Sequence, residues 1–455
     1  MFLRSLRGST GPLLQRLARH PVTRAAGGFA ALTSVVKALA FVKEAVVAAV
    51  FGVGSSMDSY LMALVVIGFP SGVLINAAQT VLIREHVHIL EREGERAAAG
   101  FLRAAIFATL ALLTVLLILW LASLHTIIAI VGHGLAPGVR ALVSANVYQL
   151  IPYYYLNSIN LLGYGALQSS KSFVRSALVP AATPLCIMAL VAATGADLTV
   201  LIGALTVGTL METVLVFLPM KERLRPSARA LPRPWPAVRQ FARGTFYLVP
   251  GTLLFGLLPV IEQTLASALG HGTISALGYA AKLPATLNSL LTTAVGVTVL
   301  PYFARRLLKD DAESCRRFFV RYVALVTLAG AGIALVAVLS SGPFVHLAFR
   351  RGQFSEQDAL LVASLQRAYL WQLPGALAAM VAVRFIAAQG RYRAMSLGNI
   401  LIVPLTGLVQ WVLSVLWGGP GLAFGTSVGT ALSALIFCVL ALQPSLMAHR
   451  WRASQ

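Results

Sequence analysis

Residues 101–123 read FLRAAIFATLALLTVLLILWLAS, a run whose only charge is Arg103 near its start. A helix rises about 1.5 Å per residue, so this run crosses a hydrocarbon core roughly 30 Å thick. No water satisfies peptide groups in that core, so the run is predicted to be helical. Similar apolar segments lie on both sides, at 27–51, 59–83, 141–166, 173–194, 198–220, 244–269, 274–302, 318–341, 361–388, 394–417 and 420–444. The 455 residues are 58% hydrophobic and 11% charged, with a mean hydropathy of +0.81. A soluble chain carries about 25% charged residues. The sequence therefore predicts an all-α polytopic membrane protein with about 12 transmembrane helices.

The placement of Lys and Arg sets the orientation. With both termini inside, the cytoplasmic segments hold 28 of the 36 basic residues. The densest are the N-terminal stretch, 84–103, 221–243 and 305–321. The outer loops hold only Arg140, Arg350 and Arg351. This is the positive-inside pattern of a bacterial inner-membrane protein, and it accounts for the net charge of +21. No nucleic-acid partner is needed to explain it. Residues 1–26 read as a basic cytoplasmic segment on anionic lipid and 445–455 as a cytoplasmic tail.

Enzyme signatures are missing. Cys186, Cys315 and Cys438 have neither metal-type nor disulfide-framework spacing. No HExxH, P-loop or dinucleotide fingerprint occurs. No catalytic residue, metal or cofactor is expected. A transport drive would then come from a monovalent cation or the membrane potential.

The chain repeats itself. Shifted by 218 positions, Glu44 meets Glu262, Gly52 and Gly54 meet Gly270 and Gly272, and Thr80-Val81-Leu82 meets Thr298-Val299-Leu300. Near a shift of 221, Gln149-x-x-Pro152 approaches Gln372-x-Pro374. An even number of spans per half makes a parallel repeat about an axis along the membrane normal, with a central cavity between the halves. The predicted layout is a six-helix lobe at 27–220, a basic Pro-rich cytoplasmic linker at 221–243 and a second six-helix lobe at 244–444.

Charges inside spans are costly and mark function or pairing. Lys37, Lys43 and Lys282 lie deep, with Glu44, Glu212 and Glu262; Asp58 sits at the outer end of helix 2. One reading is internal ion pairing, with Glu44 neutralising Lys43 or Lys37 and Glu262 neutralising Lys282. The other is a cationic cavity for an anionic headgroup such as a pyrophosphate. Glu212 reads as a helix-packing residue, and Arg367 and Arg384 as snorkelling side chains. The alternating charges of 84–96 read as a solvated, amphipathic connector. The outer loop Phe349-Arg350-Arg351-Gly352-Gln353-Phe354 is either a headgroup contact or a capped turn.

Ser34-x-x-Lys37-x-x-Ala40-Phe41-Val42-Lys43-Glu44 followed by Phe51-Gly52-x-Gly54-x-x-x-Asp58 resembles the opening of the MurJ/MviN lipid II flippases. These belong to the multidrug/oligosaccharidyl-lipid/polysaccharide exporter superfamily. Ala166-Leu167-Gln168, Tyr279-Ala280-Ala281-Lys282 and Phe349-x-Arg351-Gly352-x-Phe354-Ser355 extend the resemblance over nearly the whole chain. It implies two lobes, a cationic central cavity and alternating access. The cargo would be an undecaprenyl-diphosphate-linked saccharide moved from the inner to the outer leaflet. The positions of Lys37, Lys43 and Lys282 are typically Arg in the family and contact the diphosphate, and the position of Asp58 is functional there.

This sequence departs from that pattern. Lysine keeps the charge at all three positions but loses the bidentate fork. A family Arg falls near Ser71, a family Glu near Asn76, and an acid before the helix 8 cation is Ala281. The cargo is therefore lipid II, the peptidoglycan precursor, or a related exopolysaccharide unit. Glu44, Asp58, Glu262 and Asn76 are candidate supporting or coupling residues. Expected partners are the lipid-linked saccharide, membrane lipids and cell-envelope glycan synthesis enzymes. The rival readings are a cation or drug exporter of the same superfamily, a membrane-embedded glycan-polymerising enzyme, and a non-transporting scaffold.

Overall fold

The computed structural model describes residues 21–169, 172–195, 197–218, 235–292, 295, 303, 312–389 and 391–443. The basic stretches 1–20, 221–234 and 444–455, Lys171, and the second Thr-Val-Leu copy at 298–300 lie outside them. The described residues contain helices and no strand.

In the first half, α1 (Pro21–Phe51), α2 (Ser55–Glu93) and α3 (Glu95–Ala122) follow one another with short breaks. A short outer helix α4 (Leu124–Val131) leads into α5 (Pro137–Gln149) and α6 (Ile151–Ser169). Then come α7 (Phe173–Leu178), α8 (Ala182–Thr194) and α9 (Leu198–Phe217). The second half has α10 (Trp235–Ser267), α11 (Thr273–Ala280) and α12 (282–292). It ends with α13 (Ala312–Phe349), α14 (Glu356–Leu370), α15 (Gln372–Ala388) and α16 (Tyr392–Leu442). Gly418, at φ 64, splits α16 into the two segments that the apolar runs 394–417 and 420–444 predict. Residues 235–243, read as linker from sequence, are the first turns of α10.

Proline explains several breaks. Pro152 has no N–H for the carbonyl of Tyr148, and the chain passes from α5 to α6 at Leu150. Pro374 lies close after the break at Trp371 between α14 and α15 and leaves the Leu370 carbonyl without its N–H. The two breaks are the Pro152 and Pro374 positions of the repeat. One glycine pair agrees with it as well: Gly52 and Gly270 both have positive φ, at 63° and 113°, whereas Gly54 is extended and Gly272 left-handed. The two halves thus follow one plan.

Among the described residues, eight helices or joined helices are long and apolar enough to cross a bilayer. Their outer faces carry bare apolar side chains, such as Phe107 at 77% and Leu328 at 72% exposure. Such surface is stable only in lipid, so the chain is a multi-pass membrane protein. Inside the first half, Met57, Ile67, Leu82, Phe101 and Tyr154 are buried together. In the second, Phe319 and Phe385 stack at 4.5 Å, with Phe303 beside them.

The segment 84–96 is amphipathic, as its sequence reads, but most of it is not a separate connector. It continues α2 to Glu93, with Glu85, His86 and Ile89 buried. Gln240 of α10 donates to Glu85 Oε1 at 3.2 Å. The charges alternate because one face is solvated and the other packs on α10.

Candidate functional site

The halves meet along two seams. On one, α2 lies against α10: Thr252 Oγ1 donates to the Val73 carbonyl at 2.9 Å, and Gly256 lets Val73 and Phe69 approach. On the other, α1 faces α11 and α12. The repeat exchanges these seams, since α10 copies α1 and α11–α12 copies α2.

The charged seam holds the sequence-predicted cations. Glu44 Oε1 accepts from Lys43 Nζ at 2.6 Å and from Lys282 Nζ at 2.9 Å. Lys43 stands beside Glu44 on α1, whereas Lys282 comes from the other half at the start of α12. These side chains are 19%, 36% and 17% exposed for Lys43, Lys282 and Glu44, so water or a ligand reaches them. They line a small pocket of about 60 Å³ with Tyr60, Leu64 and Tyr279. Lys37 lies about two turns before Glu44 on α1 and donates to the hydroxyl of Ser289 on α12. Three cations and one carboxylate leave the cluster with a net positive charge.

Glu262 does not neutralise Lys282, as one sequence reading had it. It is held within the second half, where its carboxylate accepts from the hydroxyl of Tyr369 on α14. Lys282 instead reaches across to Glu44, because the turn at Ala281 aims the first residue of α12 into the seam. Glu212 packs helices in the first half, accepting from Tyr164 Oη at 2.7 Å and from the Thr183 N–H at 3.3 Å. Asn76 is exposed on α2 and lines a separate, mostly apolar cavity of about 800 Å³ between α2, α10 and α16. The described lining of that cavity includes none of the three lysines. Ser71 is buried and donates to the Gly68 carbonyl at 3.0 Å. Arg367 and Arg384 are exposed.

Asp58 joins the two halves at the end of the seam where α1 finishes. Its carboxylate accepts from the backbone N–H groups of Gly272 and Ser275, both at 2.7 Å. It therefore caps α11 of the opposite half, where the helix dipole favours an anion. Gly54 N–H donates to Ser275 Oγ at 3.2 Å, and Ser55 Oγ pairs with His271 Nδ1 at 3.0 Å. Nearby, Gln353 N–H donates to the Ala49 carbonyl at 2.8 Å.

The 349–354 loop is a capped turn. Ser355 and Asp358 form a capping box at the start of α14, and Arg350 pairs with Glu356 at 2.7 Å. Gly352, at φ 59, allows the loop to press on α1; a Cβ there would lie 2.2 Å from the Ala49 oxygen. Phe349, Phe354, Tyr279 and Phe41 pack across the join with ring centroids 5.6–5.9 Å apart. With no hydrophobic driving force inside a bilayer, such close packing and the cross-seam hydrogen bonds hold this end of the seam together.

Sequence reasoning missed Ser289 and Tyr369. A lone hydroxyl in an apolar run carries no signal of its own. Ser289 had a faint one, since it stands 218 positions after Ser71 in the repeat.

Two repeated helical lobes that meet along a charged seam, closed at one end, have the architecture of a polytopic membrane transporter. The family profile described as "Lipid II flippase MurJ" matches residues 47–455. The chain belongs to the lipid II flippase MurJ family. It is 25% identical over 411 residues to the lipid II flippase MurJ of Burkholderia cenocepacia, covering 87% of this chain and 78% of that one. It is 22% identical over 435 residues to a probable lipid II flippase MurJ of Synechocystis, covering 90% and 80%. Among solved structures, a lipid II flippase MurJ in an inward closed conformation superposes with a TM-score of 0.73 at 18% identity, covering 90% of this chain and 86% of that one. An inward-facing multidrug transporter of the MATE family superposes with a TM-score of 0.71 at 10% identity, covering 93% and 96%. At these identities the structural likeness shows the fold alone.

Proposed function

We propose that this chain carries an undecaprenyl-diphosphate-linked saccharide from the inner to the outer leaflet. The observation that carries this reading is the position of the Glu44 carboxylate, held between Lys43 of one half and Lys282 of the other. An anion already sits where the two lobes meet. A diphosphate brings more negative charge to the same ammonium groups and displaces Glu44. Lys37 gives up Ser289 to join it. Each ammonium offers three donors as a compact charge, without the fork of arginine.

The headgroup enters from the cytoplasmic side while the Asp58–α11 cap and the 349–354 turn hold the outer ends shut. Binding removes the Glu44 link between lobes. The outer seam then opens and releases the headgroup, while the lipid tail stays in the bilayer. The membrane potential or a monovalent cation drives the return, with Glu262 and Asp58 as the carboxylates that respond. The chain acts as a transporter and not as an enzyme. Both termini lie in the cytoplasm, as the distribution of Lys and Arg requires. Enzymes of envelope glycan synthesis supply or consume the cargo. A drug-exporter role fits less well, because a cationic drug would face three lysines and a single carboxylate.

Complementation tests the reading. The chain is expressed in cells depleted of their own lipid II flippase. Survival identifies lipid II as a cargo. Failure at normal membrane abundance, together with export of another polyprenyl-linked glycan, assigns that glycan. Failure to move either cargo contradicts the proposal.

A further inference from the structure

A groove of about 600 Å³ lies between α2, α3 and α10, away from the lysine seam. Arg239 and Arg243 stand at one end, one turn apart on α10. Leu112 of α3 and Phe246 and Val249 of α10 line the rest. Among the described residues neither arginine pairs with a carboxylate. Arg243 lies over the Tyr247 ring at 5.7 Å, and the nearby acid Glu85 is taken by Gln240 and Arg84. Between the cationic end and the apolar part sits Thr245, buried, with its hydroxyl lacking a hydrogen-bond partner.

The dimensions suit one leaflet. From Arg239 to Val249 the helix rises about 15 Å, half of a hydrocarbon core roughly 30 Å thick. The arginines then lie at headgroup depth on the cytoplasmic side and Val249 near mid-bilayer. Basic pockets between helices at that depth bind anionic lipid headgroups. An orphaned buried donor calls for an acceptor.

We propose that this groove is a binding site for one anionic glycerophospholipid of the inner leaflet. Arg239 and Arg243 take the phosphodiester, the Thr245 hydroxyl donates to an ester oxygen, and an acyl chain lies along Leu112, Phe246 and Val249. Charge complementarity selects this occupant over a zwitterionic lipid, and the apolar length selects it over a free phosphate. The inference stands apart from the proposed transport, because its test reads lipid retention only.

The full chain is purified in mild detergent with phosphatidylglycerol or phosphatidylcholine, and retained lipid is counted by native mass spectrometry. One phosphatidylglycerol per chain is expected to survive washing, with no matching retention of phosphatidylcholine. R239Q/R243Q lowers that retention about tenfold. R316Q/R317Q, which removes two cytoplasmic arginines elsewhere, leaves it unchanged. A108F narrows the groove while keeping both arginines and lowers retention as well; it serves as the second variant if the double arginine change fails to fold. Excess glycerol phosphate does not displace the lipid. Equal retention of both lipids, equal loss in R316Q/R317Q, full retention in A108F, or displacement by glycerol phosphate would each overturn the proposal.

Discussion

Lys282 Nζ lies 2.9 Å from Glu44 Oε1, joining the second half of the chain to the first helix of the other. The same oxygen holds Lys43 at 2.6 Å. The equivalents of Lys37, Lys43 and Lys282 at the 218 shift are Phe255, Ile261 and Leu64. The duplication has thus produced one charged seam and one apolar seam from a single plan.

Removing the shared carboxylate tests its role as a stand-in anion. Glu44→Gln frees Lys43 and Lys282 and raises the charge of the cluster by one. The variant is expected to bind a soluble diphosphate analogue about tenfold more tightly, roughly 1.4 kcal/mol, and to turn over more slowly because release is harder. Isothermal titration checks the affinity. An affinity equal to that of the unmodified protein would show that Glu44 and the ligand do not compete.

The positive charge of Lys282 is the property that the proposal uses. Lys282→Ala should cut transport at least tenfold at unchanged membrane abundance, whereas Lys282→Arg should retain it. Arginine keeps the charge and adds a bidentate fork. Transport rates in vesicles at matched protein level decide the matter. Equal activity in the alanine variant would remove Lys282 from the binding set.

The outer closure depends on an acceptor and on a glycine. Asp58→Ala removes the α11 cap, a loss of about 0.5–2 kcal/mol for helix caps in general. Gly352→Ala holds a residue with a Cβ in the left-handed region at φ 59, at a cost of roughly 1–2 kcal/mol, and drives that Cβ into the Ala49 carbonyl. Both variants should populate outward-open states. Spin labels placed on either side of the outer seam are expected to show a longer distance in each. An unchanged distance distribution would mean that these contacts do not hold the gate.

Glu262 sits apart from the lysines and reports on coupling. If it answers to a cation or proton gradient, Glu262→Gln should leave binding of a diphosphate analogue intact while abolishing the dependence of transport on the gradient. Tyr369→Phe, which removes its hydroxyl partner, should weaken that dependence. Vesicles with and without an imposed gradient separate the two effects. Gradient dependence surviving in Glu262→Gln would place coupling elsewhere.

Much of this architecture was legible in the sequence, because lipid imposes strict rules on composition. Runs such as 101–123 predict spans, whereas the breaks near Leu150 and Trp371 fall inside the apolar segments 141–166 and 361–388, which read as continuous. The repeat predicts that Gly52 and Gly270 share a role, and both adopt positive φ. The cations Lys37, Lys43 and Lys282 were visible because charge in a span is costly. Their partners were less so. Lys282 meets Glu44, 238 positions away, and not Glu262, which is nearer in sequence; only the crossing of α1 with α12 decides between them. Ser289 was invisible because a hydroxyl in an apolar helix usually satisfies itself on its own backbone, as Thr292 does on the Asn288 carbonyl. The helical continuation of 84–93 was hidden by its charges, which decorate one face and leave Ile89 to pack on the other.

The most direct test is a reconstituted flipping assay. The protein is placed in liposomes containing an undecaprenyl-diphosphate saccharide labelled on its sugar. A membrane-impermeant quencher then reports which leaflet holds the headgroup. The account predicts headgroup movement with the unmodified chain and its loss in Lys43→Ala/Lys282→Ala at equal incorporation. Movement that continues at the same rate in the double variant would contradict it.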